Sequence, residues 1–357
     1  SGAESAKRLK GCKIVDERKL KVLAAVVDEY IRTGEPVGSK AISGILDIKV
    51  SSATIRNDMA GLEQLGYLEQ PHTSAGRIPT FSGYRLYIEK FVDPVRLPEE
   101  ERSRLDNMLK ENNAFTEDAI IQNAVTALAE LTNCTAVASN SAPKFSVISK
   151  VEVIPTGKRM YVILLITSGG NIKNKTCRLE FDLSHEQLDF FSHYVQENLQ
   201  GVSVEEISEE TFEKMVTALG AYMVILSPLV KSIYELSADL KQKSVTFSGE
   251  ENLFYSNDLD KAEIVRFIEH KNELANMLDD TFNGIQVKFG QENNDFIIGN
   301  SSLIVSKYKK GSKTAGSLGI IGPMRIDYAR IIPYVEYFTE KLTLLMSDDS
   351  SENEENK

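Results

Sequence analysis

The sequence predicts an α+β chain: an N-terminal winged helix-turn-helix, then a split α+β domain carrying a mostly helical insertion. Two observations predict it. In the first ninety or so residues, apolar side chains at helical spacing mark three helices ahead of a short hairpin. Farther on, two blocks rich in strand-forming residues, one from Val151 to Phe181 and one from Ile285 to Ile321, flank a mostly helical stretch from Ser184 to about Asp279. Strands, then helices, then strands again are what an insertion into an α+β domain produces.

The elements follow in order. Asp16 is placed to cap a helix whose apolar residues Leu20, Leu23, Val27, Tyr30 and Ile31 share one side, and Gly34 ends it. Pro36 and Gly38 make a turn, and Ser39 opens a short helix with Ala41, Ile42 and Ile45. A turn around Asp47 and Lys49 leads to Ser51-Ser52 and a third helix with Ile55, Met59, Leu62 and Leu65 on one face, stopped by Gly66. The stretches Tyr67–Gln70 and Arg77–Thr80 read as two short strands around a Pro71-to-Gly76 loop. Proline spacing and charge from Pro94 to Pro98 suggest a linker, taken as far as residue 104. A helix with Ile120, Ile121, Val125, Leu128 and Leu131 follows, then an antiparallel meander of Val151–Ile154, Met160–Thr167 and Thr176–Phe181. The second block offers strands at Ile285–Phe289, Phe296–Ile298, Leu303–Tyr308 and Ser317–Ile321, and a last helix carries Ile331, Val335, Phe338, Leu342 and Leu345.

The expected domains are residues 1–93 (with 1–14 a leader), 94–183 joined to 256–347, an insertion at 184–255, and an acidic tail at 348–357 expected to be disordered. Ser1-Gly2-Ala3 carries no signal for the fold.

Charge is unevenly spread. The chain has a net charge of −11, but residues 1–97 hold 15 Lys and Arg against 12 Asp and Glu, a net of +3. The excess acid lies beyond the head, so the overall acidity does not argue against nucleic acid as its partner. No apolar run reaches the length of a membrane span. Cys12, Cys134 and Cys177 are far apart and odd in number, which argues against a disulfide framework and fits a reducing cytoplasm.

The third helix carries the chemistry. With Ile55, Met59 and Leu62 turned inward, its opposite face presents Ser52, Ala53, Arg56 and Asn57, with Thr54 near the edge. These are N-terminal positions, where a recognition helix meets base edges. Hydroxyls donate to phosphate or base, Asn pairs bidentately with adenine, and Arg pairs with guanine or phosphate. The plainer alternative makes Ser52 an N-cap and Arg56 a solvated charge. In the following loop, His72, Thr73 and Arg77 are candidate wing contacts, with Arg77 at a flexible tip reaching phosphate or a minor groove. Lys40, at the start of the second helix, is a phosphate-contact candidate.

The run Val50-Ser51-Ser52-Ala53-Thr54-Ile55-Arg56-Asn57-Asp58-Met59, with Leu62-Glu63 and Gly66-Tyr67-Leu68, resembles the HrcA repressor family. So does Gln70-Pro71-His72-Thr73-Ser74-Ala75-Gly76-Arg77-Ile78-Pro79-Thr80 with Gly83-Tyr84-Arg85, and, far downstream, Gly319-Ile320-Ile321-Gly322-Pro323-Met324-Arg325-Ile326-Asp327-Tyr328. The similarity spans about Asp16 to Met346. It implies a winged helix, a GAF-like domain and a dimerising insertion. It further implies a homodimer that binds the CIRCE inverted repeat and represses groE and dnaK, with the chaperonin GroEL maintaining its activity. Such a protein is cytoplasmic, is not an enzyme, and needs no cofactor.

Other motifs carry less. Gly316, Gly319 and Gly322 lack dinucleotide-site spacing, and Gly311-Ser312-Lys313-Thr314 lacks a Walker A sequence, so glycines beside a buried strand stopped by Pro323 explain the run better. His72, His185, His193 and His270 show no metal-ligand spacing. Phe190, Phe191 and Tyr194, with Tyr222 and Met223 beyond, suit either a dimer surface or an internal core. Two rival functions remain: a small-molecule sensor using the GAF-like region, and an enzyme using the glycine-rich segment for phosphate.

Overall fold

The structure is a computed structural model. It describes residues 15–46, 50–73, 75–92, 97–110, 116–140, 147–168, 170–220, 225–241, 244–274, 278, 284–290, 298–311 and 313–351. The leader, Asp47 and Lys49, Ser74, Pro94, Tyr222, Met223, Phe296 and residues 352–357 lie outside them. The fold is α+β, as predicted. Its contacts divide the chain into two units: Ser1–Ala138, Thr246–Ser312 and Ser317–Lys357 in one, Ser139–Val245 and Lys313–Gly316 in the other.

In the first unit the head begins with α1 (Glu17–Thr33), capped by Asp16, which accepts from the Lys19 amide at 2.9 Å. The helix ends at Gly34 in the left-handed region, its N–H donating to the Tyr30 carbonyl at 2.8 Å. Helices α2 (Ser39–Ile45) and α3 (Ser52–Gln64) follow. Strands β1 (Leu68–Glu69) and β2 (Ile78–Pro79) pair antiparallel, Leu68 opposite Pro79 and Glu69 opposite Ile78. Val22, Leu23, Val26, Val27, Ile42, Ile55, Met59, Leu62 and Leu68 are buried. A further helix, α4 (Phe81–Phe91), capped by Thr80, completes the head. The sequence reading did not separate it from the wing.

The expected linker is shorter than supposed. Residues 99–104 belong to α5 (Glu99–Leu109), where Pro98 at the N-cap and Glu99, Glu100 and Glu101 in the first turn favour a helix start. Then come α6 (Glu117–Thr132) and β3 (Thr135–Asn140).

The second unit corrects the expected insertion boundaries. Strands β4 (Ile148–Gly157), β5 (Met160–Thr167) and β6 (Ile172–Arg178) form the expected antiparallel meander, but as a separate three-stranded sheet. Its apolar face, including Val151, Tyr161, Ile163 and Leu165, shares one core with α7 (His185–Leu199), α8 (Glu209–Leu219) and α9 (Ser227–Lys241) through Phe191, Val195, Phe212, Leu229 and Ile233. Side chains in β5 alternate in burial, so one sheet face must be covered, and these helices cover it. The inserted unit is therefore a sheet with helices, starting near residue 139 rather than at 184. Among the aromatics, Phe191 is core, while Phe190 is 51% exposed and stacks on Tyr194 at 6.2 Å.

Returning to the first unit, β7 (Ser244–Ser248) leads to α10 (Asn252–Tyr255) and α11 (Lys261–Glu269). Strands β8 (Gln286–Phe289), β9 (Ser301–Lys310) and β10 (Lys313–Pro323) complete a five-stranded sheet of order β7-β3-β10-β9-β8. Ile298 lies in no strand. A Cβ on Gly319 would sit 2.2 Å from the Ile304 carbonyl oxygen, so glycine is required by strand packing here. The last helix, α12 (Tyr328–Ser351), buries Ile331, Val335, Phe338 and Leu342, and its backbone continues past the expected boundary at 347. Among the described residues, no helix is long and apolar enough to cross a membrane.

Candidate nucleic-acid interface

The site is built on α3. Ser51 is its N-cap: Oγ accepts from the Thr54 amide at 3.2 Å and lies 3.0 Å from Thr54 Oγ1. Ser52 is thus the first helical residue and its hydroxyl is not needed for capping. Helical periodicity then sorts the side chains. Ile55, Met59 and Leu62 are buried, Ser52, Ala53, Arg56 and Asn57 are exposed, and Thr54 is half-buried. At 1.5 Å per residue the helix is about 20 Å long, suiting a major groove about 12 Å wide. Lys40 is exposed near the start of α2.

One carboxylate breaks the apolar face. Asp58 is 3% exposed, and Arg18 of α1 grips it in a two-pronged ion pair, Nε to Oδ2 at 2.8 Å and Nη2 to Oδ1 at 3.0 Å. Sequence reasoning missed this pair. The available signal was an acidic residue at helical spacing among Ile55, Met59 and Leu62, because a carboxylate on a buried face needs a cation.

The wing also has internal order. Gln70 Nε2 donates to the Thr73 carbonyl at 3.0 Å and the Ala75 carbonyl at 2.9 Å, and the Ala75 amide donates to the His72 carbonyl at 2.9 Å. His72 and Thr73 are exposed on this loop. Arg77 departs from expectation. It is not a free cation at a flexible tip: its backbone exchanges hydrogen bonds with Val37, at 2.8 and 2.9 Å, adding a third short segment to the wing. Its guanidinium turns back onto Glu63 of α3, at 2.8 Å, and is 19% exposed. Gly76 permits this, since a Cβ there would lie 2.4 Å from the Val37 carbonyl. Arg77 therefore ties the wing to α3.

Among the described residues, no group of three or more His, Cys, Asp and Glu side chains is arranged around a metal site. His193 and His270 are exposed, with Nδ1 beside the main-chain carbonyls of Asp189 and Arg266, both at 2.9 Å. Burial pushes the Cys134 thiol up to about 11, which keeps it protonated and unreactive at neutral pH.

Comparison with known proteins agrees with this architecture. Residues 118–332 match the family described as "HrcA protein C terminal domain". The heat-inducible transcription repressor HrcA of Clostridium perfringens is 32% identical over 323 residues, covering 89% of this chain and 95% of that protein. Its counterpart in Halalkalibacterium halodurans is 33% identical over 347 residues, covering 94% and 98%. A crystal structure at 2.2 Å described as that of a hypothetical protein superposes with a TM-score of 0.64 at 25% identity, covering 94% of this chain and 99% of that one. With a family match over more than half its length, and relatives this similar over most of it, the chain belongs to the HrcA family of heat-inducible transcription repressors.

Proposed function

We propose that the chain works as a homodimer on the CIRCE inverted repeat, repressing groE and dnaK transcription by occluding the promoter. The observation that carries this reading is the sorting of α3, whose N-terminal half exposes Ser52, Arg56 and Asn57 while its other face is buried. In each half-site Asn57 and Arg56 face base edges, and Ser52 and Thr54 donate to phosphate or base. Lys40 meets the backbone beside the groove, His72 and Thr73 line the wing, and Arg77 anchors the wing through Glu63. A two-fold dimer matches a two-fold operator, because its recognition helices recur about one helical turn apart.

In this reading the protein is cytoplasmic and acts by binding, not catalysis, and GroEL supports the active form. The deciding experiment is fluorescence anisotropy on a labelled CIRCE duplex against a scrambled-half-site control, at near-physiological salt. The expected result is a preference of at least about a thousandfold. Equal, strongly salt-sensitive binding to both duplexes would rule the reading out for this chain alone, and adding GroEL then tests whether the chaperonin restores the preference.

A further inference from the structure

We infer that Arg325 is a positioning residue for DNA binding: it ties the C-terminal end of α1 to the core of the same unit and so fixes the direction in which α3 is presented. Its Nη1 donates to the Ile31 carbonyl at 3.2 Å, and its Nε donates to Asp258 Oδ2 at 3.1 Å. The acceptor on the head is a carbonyl in the last turn of α1, the negative end of that helix, where a cation is favoured. Gly34 lets the guanidinium lie flat against the chain there, since a Cβ would stand 3.1 Å from Arg325 Cζ.

A second contact comes from the same C-terminal segment. Tyr84 of α4 is 1% exposed, with its ring 5.8 Å from Tyr328 and 6.3 Å from Phe289. The two contacts do different work. Apolar burial holds the head down without specifying its angle, because it is non-directional. A planar guanidinium bonded at two points on different elements specifies the angle. Without Arg325, the head stays attached through Tyr84 but is free to swivel. Swivel matters little for one half-site and much for two, because an inverted repeat demands both recognition helices at fixed spacing. This last step rests on the proposed operator binding.

The test uses the full chain and two readouts. For the first, spin labels are placed at Glu89→Cys on α4 and Glu340→Cys on α12, both exposed positions, with Cys12→Ser, and labelled chain is diluted with unlabelled chain. Pulsed electron spin resonance should give a narrow distance distribution in this parent, a broad one with Arg325→Ala, and an intermediate one with Arg325→Lys. An unchanged narrow distribution in Arg325→Ala, or a broad one already in the parent, overturns the inference. Asp258→Asn, which keeps the guanidinium but weakens its anchor, carries the test if Arg325→Ala does not fold.

The second readout compares duplexes with the natural spacing, with two to three base pairs inserted (about a quarter turn), and with a single half-site. The parent should prefer the natural spacing by at least about tenfold, and Arg325→Ala should reduce that preference to about threefold or less with single-half-site affinity unchanged. Loss of half-site affinity with the spacing preference retained would mean a purely structural role. If the parent itself ignores the operator, the DNA reading fails while the distance measurement still judges the joint.

Discussion

Arg18 and Asp58 join α1 to α3 across the buried side of α3, with the Asp58 side chain 5% and the Arg18 side chain 48% exposed. Asp58 follows directly on Asn57, so the pair fixes the helix rotation that presents Asn57 outward. Arg18→Ala strands a buried carboxylate, whereas Arg18→Ala with Asp58→Ala strands nothing. The double variant should therefore melt at a higher temperature than Arg18→Ala alone, which thermal denaturation followed by circular dichroism measures. A double variant melting lower than the single would show that Asp58 stabilises α3 by some other contact.

Asn57→Ala removes the side chain best suited to adenine. It should cost on the order of 1–3 kcal/mol on the cognate duplex and almost nothing on scrambled DNA. Anisotropy titrations on the two duplexes separate these outcomes, and equal losses would argue against base readout.

Arg77 is already neutralised by Glu63, so Arg77→Ala should leave the dependence of log K on log salt nearly unchanged. A phosphate contact would instead flatten that slope by about 0.9. Glu63→Ala releases the guanidinium, and the slope should then steepen by about the same amount.

Tyr84 is buried, yet its hydroxyl finds no hydrogen-bond partner among the described residues. Tyr84→Phe should therefore be neutral or stabilising, while Tyr84→Ala should cost about 3–5 kcal/mol through loss of the buried ring. Chemical denaturation of both variants checks the contrast, which a hydrogen-bonding role for the phenol would reverse for Phe.

Glu336, half-buried on α12, titrates above the ordinary glutamate value of 4.5 because burial, and then Glu340 one turn on, disfavour its charge. A carboxylate raised in the folded state disfavours folding while it is ionised, and that cost fades as pH falls through the raised value. Glu336→Gln should thus raise Tm at pH 7, with the gain shrinking as pH drops towards 4.5. Melts across this range decide it, and a gain that grows on acidification would contradict the sign.

The head was the most legible part of the sequence. Its helices carry their own signals, namely Asp16 as a cap, Gly34 as a stop, and apolar residues at helical spacing, while the third helix is capped by Ser51 where the sequence offered Ser52. The exposed set on α3 follows from the same periodicity, which by itself puts Ser52, Arg56 and Asn57 on the outer face. What local pattern cannot contain is partner choice. Arg77 looked like a loop-tip cation because its neighbours are small and polar, while its two partners, Val37 and Glu63, lie far from it in sequence. The meander was readable as strands but not assignable to a unit, because burial against α7 and α9 depends on tertiary packing. The start of α5 was hidden by a proline and three glutamates, residues that suit a linker and a first helical turn equally well.

The interrupted sheet has a consequence for when the molecule comes into being. β3 is made early in synthesis, but its neighbours β7 and β10 and the rest of the sheet are translated only after residues 141–243, which make up most of the second unit. The bond from Arg325 to Ile31 closes a span of 294 residues. Until the ribosome has passed that point, β3 waits without its sheet partners and the head has nothing to dock on. Such a nascent chain exposes sticky edges for many seconds at ordinary elongation rates of about 5–20 residues per second. The first unit therefore completes its fold only once nearly the whole chain has been made.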